Sequence, residues 1–483
     1  MIGFLHTLCV LSLSIYGVQA ILLTLLYLRH RGDVLVGCDP DELDWPLVAI
    51  QLPIYNELHV VERLIDAAAA LDYPAGKLEV QVLDDSTDDT TQLAEARATY
   101  HRARGINVRV LRRPTREGFK AGALAWGLKR TAAEFLAVFD ADFSPRPDFL
   151  RRTIPQLIAR PQVGVVQTRW SHLNEVYSPL TRLQALALNG HFVVEQTGRS
   201  RSNLLINFNG SGGVWRRACI EAVGGWQWDT MTEDMDLSYR AQISGWRSLY
   251  LPDVDAPAEL PPQMEAFKRQ QARWAQGSTQ CLRKLGPRIL RSELTGRQKL
   301  MALVHISSYL TQPLMILLLL TTLPVLWFSQ PASSVLGGLW VVSLGPPLLY
   351  LVAESSLHRD WGRRLLYFPV LAAVFAGISW STSHGVWQGL TRWGGTFSRT
   401  PKFRLEGRRG RWADSTYRLL PDGMILGEVF LMLYALVTVW IAWARHQYSA
   451  IPFLLLFVFG FSIVAGSGVL QGLRRLRVPT QEY

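Results

Sequence analysis

The chain has 483 residues, of which 49% are apolar and only 18% are charged, against roughly 25% charged residues in soluble globular proteins. The net charge of +11 is unevenly placed: residues 301–483 carry 15 basic and 7 acidic side chains, whereas residues 33–300 carry 33 and 32. This composition argues against a disordered, fibrous or wholly soluble chain, and basic residues between apolar segments indicate membrane topology, not nucleic-acid binding.

The first predicted element is an apolar helix at residues 3–28. Arg29 and Arg31 follow it and no basic residue precedes it, whereas a signal peptide begins with a positively charged region. We therefore expect a retained transmembrane helix, domain 1–30, with the N-terminus outside and the following residues in the cytoplasm.

Residues 31–300 have the pattern of an α/β domain. Short apolar strands are predicted at Val48–Ile54, 78–83, 108–111 and 135–139, with helical patterns between them. Polar residues follow three of these strands, at the edge where open parallel sheets bind ligands. No dinucleotide-binding fingerprint or P-loop is present, which argues against a hydride transferase or an ATPase and leaves a nucleotide-diphosphate site built on carboxylates.

Acidic pairs follow two of the strands. Asp140 and Asp142 are two residues apart on an extended segment, so both carboxylates face one way and can address a divalent cation on a diphosphate. Asp84 and Asp85 have the same potential, although Asp pairs are also common in turns and helix caps. Lys120 lies between two glycines, where a phosphate or base contact competes with an ordinary solvated lysine.

Residues 231–236 predict the start of a helix. Thr230 and Glu233 have capping-box spacing, and acidic residues in a first turn also complement the helix dipole. A carboxylate that stays ionised there can accept a proton from an alcohol. We assign that role to Asp234.

A second helical pattern carries Gln270, Arg273 and Trp274 at positions i, i+3 and i+4, which share one face. An amide, a guanidinium and an indole suit a diphosphate and a sugar ring. The same residues also suit a helix anchored at the membrane interface.

The C-terminal region, residues 301–483, is predicted to be largely membrane-embedded. Basic clusters serve as cytoplasmic markers and give crossings at 302–328, 334–353, 424–444 and 450–471, with a cytoplasmic C-terminus. The segment 366–392 is basic at both ends and polar in its centre, so we predict an interfacial or re-entrant helix followed by a cytoplasmic loop at 393–418. Six crossings in all would place that basic loop outside.

Four motifs in this order, DDS, DAD, TED and QQARW, followed by membrane helices, resemble the signature of processive membrane family 2 glycosyltransferases, the cellulose synthase and cellulose-synthase-like mannan synthase group. Residues 208–216, FNGSGGVWR, resemble the mannan synthases further. The resemblance implies a cytoplasmic α/β domain of the GT-A type (Rossmann-like) joined to an α-helical transmembrane domain. It also implies inverting transfer from a UDP- or GDP-sugar to a glycan acceptor, with extrusion of a β-linked glucan or mannan across a bacterial-type inner or plasma membrane.

The resemblance also implies roles for individual residues. Nucleotide-sugar binding falls to Pro53, Tyr55, Glu57, Asp84, Asp85, Lys120, Asp140, Gln270 and Arg273. Asp140 and Asp142 would hold Mg²⁺ or Mn²⁺. Catalysis falls to Asp234 with Thr232 and Glu233, and acceptor binding to Trp274, Gly210 and Ser211. Phe397, Thr400 and Lys402 are similar to a gating loop, although Arg399 replaces its valine and Pro401 is an added departure.

Two other functions fit parts of the sequence. A non-processive enzyme that glycosylates a lipid would need the same motifs and membrane helices. A transporter or channel would account for Glu354 and Glu428 near the membrane boundary, but it would not need the ordered acidic motifs. The donor sugar, its nucleotide and the linkage stay open at this point.

Overall fold

The computed structural model describes residues 1–35, 37–39, 43–328, 338–396, 399–412, 415 and 417–473. Within these residues one sheet is formed by β1 (Val48–Ile54), β2 (Leu78–Asp84), β3 (Val108–Arg112), β4 (Phe135–Val138), β5 (Val163–His172), β6 (Gly213–Arg216) and β7 (Arg247–Ala258).

The helices of the first part of the chain are α1 (Ile2–His30), α2 (Val61–Ala69), α3 (Thr90–Arg102), α4 (Phe119–Leu128), α5 (Phe149–Ile158), α6 (Pro179–Asn189), α7 (Gln196–Arg201), α8 (Arg217–Ala222), α9 (Glu233–Ile243), α10 (Met264–Arg291) and α11 (Gly296–Ile306). They are followed by α12 (Thr311–Phe328), α13 (Gly345–Leu357), α14 (Trp361–Leu365), α15 (Phe368–Gly377), α16 (Ser379–Thr391), α17 (Met424–Ala444) and α18 (Ile451–Leu473).

The sheet has the strand order β3-β2-β1-β4-β6-β5-β7. Strands β1 to β4 run parallel, and β6 is antiparallel to both β4 and β5. The four predicted strands are β1 to β4, each with ends within one residue of the prediction. Because β1 and β4 are parallel neighbours, the segments after Ile54 and after Val138 emerge side by side at one edge of the sheet.

Both faces of this sheet are covered, which explains the nearly continuous apolar sequence of its central strands. Val48, Ile50, Leu52 and Phe135 are fully buried, and burial of each such side chain contributes about 1.5–3 kcal/mol. The polar segments that follow these strands are therefore held on a rigid base.

Helix α10 connects the sheet domain to the membrane region through close packing against α16. A Cβ atom at Gly385 would lie 2.2 Å from the carbonyl oxygen of Ala272, and one at Gly389 would lie 2.6 Å from that of Gln276. The two helix backbones approach this closely because glycine occupies both positions. The polar segment predicted at the interface thus lies directly against the helix that carries the QQARW motif.

Four described helices are long and apolar enough to cross a bilayer, namely Ile2–His30, Ser308–Phe328, Met424–Ala444 and Tyr448–Gln471. The predicted crossing at 334–353 falls partly outside the described residues. The part that is described belongs to a shorter apolar helix, Val341–Leu357. The predicted interface segment is a helix pair, Trp361–Gly377 and Ser379–Thr391, bent by 47°. These helices fit a membrane protein, and the count and direction of the crossings stay predictions.

The prediction of a capping box at the TED motif was wrong. Helix α9 begins at Glu233 after Thr232, and no side chain caps it. The Thr230 hydroxyl instead donates a hydrogen bond to the Thr232 carbonyl oxygen, at 3.4 Å. The motif is held by tertiary contacts to α10, which local spacing does not reveal.

Candidate active site

A cavity of about 150 Å³ lies at the carboxyl-terminal edge of β1, β2 and β4. Most of the predicted site residues line it: Pro53, Tyr55, Glu57, Asp85, Lys120, Asp140, Asp142, Gly210, Thr232, Glu233, Asp234, Gln270, Arg273, Trp274, Thr400 and Lys402. Residues from eight separate stretches of the chain therefore meet in one place.

Among the predicted residues that the structure describes, Asp84 and Ser211 do not line this cavity. Asp84 is buried and accepts hydrogen bonds from the Ser86 amide at 2.8 Å and the Thr91 hydroxyl at 2.6 Å, a turn-and-cap arrangement. Ser211 is also buried, and its hydroxyl accepts a bond from the Asp140 amide at 2.9 Å. Phe397 falls outside the described residues.

The two carboxylates of the DAD motif are each paired with a lysine. Lys120 Nζ lies 2.6 Å from Asp140 Oδ1 and donates to the Gly210 carbonyl oxygen at 2.7 Å. Lys402 Nζ lies 2.5 Å from Asp142 Oδ2. Burial opposes charge on both lysines, but the neighbouring carboxylates outweigh it and raise the pKa of each. Lys402 thereby brings the gating-like loop onto the acidic motif.

Asp140 and Asp142 are also the residues suited to a metal. In the described part of the chain, no group of three or more His, Cys, Asp or Glu side chains is arranged to hold a metal ion by itself. Two hard carboxylate ligands at one strand end still fit Mg²⁺ or Mn²⁺, provided that diphosphate oxygens and water complete the shell. The donor set therefore suits a metal that arrives with its nucleotide.

Asp234 lies in the first turn of α9, where its Oδ1 accepts a hydrogen bond from the Met235 amide at 2.8 Å. Burial, and then the adjacent Glu233 carboxylate, raises the pKa of Asp234 to about 7 against the opposing charges of Lys120 and Arg273. A carboxylate with this pKa is well matched to proton abstraction near neutral pH.

Gly210 lies close to the Asp234 carboxylate. It has φ +81°, and a Cβ atom there would lie 2.8 Å from Asp234 Oδ2. Glycine is therefore required both by the left-handed backbone and by the space.

The cavity wall also carries arginines that the sequence motifs did not indicate. The Arg116 guanidinium stacks on the Tyr55 ring, with its carbon 3.3 Å from the ring centroid. Arg399 Nη1 lies 3.1 Å from Glu57 Oε2. Burial raises the pKa of Glu57 to about 8, with Arg399 acting in the opposite direction.

Asp85 is held by another arginine from a distant position in the chain. Arg113 Nε and Nη2 donate to Asp85 Oδ1 and Oδ2 at 2.7 and 2.6 Å. A bidentate pair of this kind fixes the carboxylate in one orientation at the cavity wall.

The face of α10 predicted from the QQARW spacing is turned into the cavity. Gln270, Arg273 and Trp274 all line it, and burial lowers the pKa of Arg273. All three side chains are partly buried.

A second cavity of about 470 Å³ continues from the first. The residues shared by both are Asp142, Trp170, Asn209, Thr232, Asp234, Gln270 and Trp274. The second cavity extends to Tyr16 on α1, Gln312 on α12 and Tyr350 on α13. The two cavities adjoin along these shared residues. Together they are called the passage, which extends from the DAD and TED motifs to the apolar helices.

The tryptophans near the motifs divide into three groups. Trp170 lines both cavities and Trp274 does the same, whereas Trp215 and Trp226 are buried in the core of the sheet domain. Trp228 is 46% exposed and lies against Gly118. Only the first two can offer a ring to a sugar in the passage.

The two acids that suggested a transporter pair with neighbouring helices. Glu354 accepts a hydrogen bond from Asn189 Nδ2 at 2.7 Å, and Glu428 lies 2.6 Å from Lys268 Nζ. Both carboxylates are fully buried. These contacts join the membrane helices to α6 and α10, a structural role that needs no transported ion.

Comparison with known proteins agrees with this arrangement. Residues 46–277 match the family model described as Glycosyltransferase like family 2. The chain is 44% identical over 262 residues to "Glucomannan 4-beta-mannosyltransferase 2" of Arabidopsis thaliana, covering 53% of this chain and 49% of that protein. It is 45% identical over 250 residues to "Probable glucomannan 4-beta-mannosyltransferase 3" of Oryza sativa, covering 51% and 45%. The chain spans about half the length of these curated relatives.

One solved structure shares the fold. It is that of a mannosyltransferase from Pyrobaculum calidifontis in complex with GDP-Man and Mn²⁺, with a TM-score of 0.52 and 24% identity over 76% of this chain and 97% of that one. At this level of identity the likeness concerns the fold alone.

Proposed function

Because residues 46–277 match the model of the family 2 glycosyltransferases, we propose that this chain is an inverting membrane polysaccharide synthase of that family, which polymerises a β-linked mannan from a nucleotide sugar. The mannosyl specificity is supported by the plant relatives, which are named as glucomannan 4-beta-mannosyltransferases. The proposed donor is GDP-mannose, with UDP-sugars and glucosyl donors as the alternatives to be tested.

The observation that carries the proposal is the passage between the two cavities. Asp234 and Trp274 line both the donor-side cavity and the larger one that extends to α1, α12 and α13. A product that stays bound after each transfer needs such a path away from the general base. Polar and aromatic side chains along it, including Tyr16, Gln312 and Tyr350, suit a glycan better than an acyl chain.

Asp234 is the proposed general base. In its ionised form it would take the proton of the acceptor hydroxyl as that oxygen attacks the anomeric carbon and the nucleoside diphosphate departs from the opposite face. A single displacement inverts the anomeric configuration and needs no enzyme nucleophile. The pKa of about 7 keeps a substantial fraction of Asp234 ionised at neutral pH.

The charge that develops on the departing diphosphate would be offset by Arg273, Lys120 and Lys402, which all line the donor-side cavity. Cations fixed in a partly buried site stabilise such charge more than they would in water. Asp140 and Asp142 would hold Mg²⁺ or Mn²⁺, which supplies further charge neutralisation when bound with the donor.

The nucleoside would occupy the end of the cavity lined by Tyr55, Glu57 and Asp85. Arg116 and Arg399 lie in the same region and extend the set predicted from the motifs. Planar guanidiniums and a carboxylate with fixed orientation provide hydrogen-bond donors and acceptors for a purine or pyrimidine edge.

A nucleotide-sugar panel tests the proposal. The purified chain, with Mn²⁺ or Mg²⁺, is offered GDP-mannose, GDP-glucose and UDP-glucose, and nucleotide release, product linkage and chloroform partition are measured. The expected result is GDP release coupled to a water-insoluble, 4-linked β-mannosyl product. A chloroform-soluble mannolipid would contradict the polymer synthase and favour the enzyme that glycosylates a lipid. A purely glucosyl product would contradict the mannosyl assignment.

A further inference from the structure

One buried side chain, that of Gln280 on α10, contacts two loops that belong to different parts of the site. Its Oε1 accepts a hydrogen bond from the Met231 amide at 2.8 Å. Its Nε2 donates to the Gly394 carbonyl oxygen at 2.8 Å and to that of Arg392 at 3.2 Å. Gln280 is fully buried, so both ends of the amide are used.

The two loops also contact each other directly. The Gly394 amide donates to the Asp229 carbonyl oxygen at 2.8 Å. A Cβ atom at Gly395 would lie 2.8 Å from the sulfur of Met231. Gln276, one turn before Gln280, adds a bond from its Nε2 to the Gly394 carbonyl oxygen at 3.0 Å. The segment 392–395 is therefore fastened to the segment 229–231 at several points.

Each loop leads within a few residues to a reactive part of the site. Met231 precedes Asp234 by three positions, and between them Thr232 is packed so closely that a Cβ atom at Gly277 would lie 2.8 Å from its amide nitrogen. Gly394 and Gly395 precede Arg399 and Lys402, which contact Glu57 and Asp142 in the donor-side cavity.

We propose that Gln280 is a positioning residue that couples the Asp234 loop to the gating-like loop, so that enclosure of the donor and alignment of the general base occur together. The proposal rests on the proposed function. Lys402 is paired with Asp142, a carboxylate suited to the metal that accompanies the donor. Because the metal would compete with Lys402 for this carboxylate, residues 399–402 have to rearrange when the donor binds. Gln280 transmits that rearrangement through segment 392–395 to Met231 and thus to Asp234.

Three variants separate the contacts. Gln280→Met keeps the length of the side chain but removes its bonds to both loops. Gln276→Met is the matched control, because Gln276 bonds to Gly394 and not to Met231. Lys402→Met perturbs the gating-like loop at its far end, and among the described residues no hydrogen bond or ion pair joins Lys402 to Gln280.

The kinetic measurement determines separately how each variant changes kcat and the KM for GDP-mannose. Gln280→Met is expected to lower kcat/KM by about tenfold or more, because the Met231 amide loses its acceptor and segment 392–395 loses two of its bonds to α10. Both kcat and KM should be affected. Gln276→Met is expected to raise KM and leave kcat within about twofold, since the bond to Met231 is intact. Equal effects of the two variants on kcat would overturn the proposal.

The decisive test is a double-variant cycle of Gln280→Met with Lys402→Met. Independent sites without shared partners give losses that multiply, whereas coupled sites deviate. We expect the loss of kcat/KM in the double variant to be at least about fivefold smaller than the product of the losses in the two single variants. A merely structural role for Gln280 would lower the Tm but leave the losses multiplicative, which would refute the coupling.

The same cycle is run on binding of GDP with Mn²⁺, measured by calorimetry. This readout separates the two proposals. If the wild-type chain polymerises no sugar, the proposed function fails, while non-multiplicative losses in GDP affinity still support the coupling. Multiplicative losses in GDP affinity overturn it, whatever the product.

Discussion

The pKa of Asp234 makes the pH dependence of transfer a direct test of its role as general base. Only the ionised carboxylate can accept the acceptor proton, so with a pKa of about 7 kcat/KM should rise through neutral pH. About one tenth of the maximal rate is expected one unit below that pKa and about nine tenths one unit above it.

Two substitutions should move this rise of kcat/KM with pH, the acid limb of the pH profile, in opposite directions. Glu233 raises the pKa of Asp234 and Lys120 lowers it. Glu233→Gln should therefore shift the limb to lower pH, and Lys120→Met to higher pH, each by on the order of one pH unit. The burial that is the largest cause of the raised pKa is retained in both variants.

The assay is GDP release from GDP-mannose in a constant-ionic-strength buffer between pH 5 and pH 9, with saturating Mn²⁺. The position of the limb is compared, not the height of the plateau, because Lys120 also contacts Asp140 and its loss will lower the maximal rate. A limb that stays in place in both variants, or moves the same way in both, would refute the assignment of Asp234.

Three further substitutions have defined outcomes. Gly210→Ala should lower kcat by about 100-fold, because the added Cβ would lie 2.8 Å from Asp234 Oδ2 and a small displacement of the general base is costly. Gly225→Ala is the control for backbone strain, because Gly225 has φ +71° but open space around it. Similar losses of kcat in the two variants would contradict the steric explanation. Lys402→Met should strengthen Mn²⁺ binding to the nucleotide-free chain by about tenfold, since it removes the cation on the DAD motif; unchanged Mn²⁺ affinity by paramagnetic resonance would contradict this. Gly385→Ala should destabilise the folded chain by about 1–3 kcal/mol through overpacking, seen as a lower Tm in detergent, whereas Gly466→Ala meets no neighbour within 4 Å and should not; equal Tm values would show that the helix contact is not tight.

The sequence predicted the strands and the acidic motifs because both depend on local rules. Apolar runs of strand length ended where β1 to β4 end, and the spacing of Asp140 and Asp142 placed both side chains in one cavity. The pair Asp84 and Asp85 shows the limit of such rules. Neighbouring residues of an extended chain point to opposite sides, and Asp85 alone lines the cavity while Asp84 caps the following turn.

Residues brought from distant segments were beyond sequence reasoning. Arg113 and Arg116 precede the predicted Lys120 without any motif of their own, and their partners Asp85 and Tyr55 directly follow β2 and β1. Arg399 was visible only as a departure from a loop pattern, and its contact with Glu57 exists because the polypeptide returns from the membrane region to the sheet. Pairings of this kind depend on tertiary structure.

The membrane region was predictable in its apolar helices but not in their boundaries. The predicted span 302–328 is divided in the structure, with α11 ending at Ile306 and the candidate span beginning at Ser308. The interfacial location of segment 366–392 stays a prediction from its serines and basic flanks. The packing of this segment on α10 depends on Gly385 and Gly389, whose role is apparent only once both helices are seen.

The central claim is that the chain joins transfer of mannose to extrusion of the polymer through the passage beside Asp234. The most direct measurement uses sealed inverted vesicles that contain the chain and radiolabelled GDP-mannose added outside, followed by an endo-β-1,4-mannanase with or without detergent. We expect an ethanol-insoluble, 4-linked mannan that is protected from the mannanase until detergent opens the vesicles. Label that partitions into chloroform, or polymer that is fully digested without detergent, would contradict it.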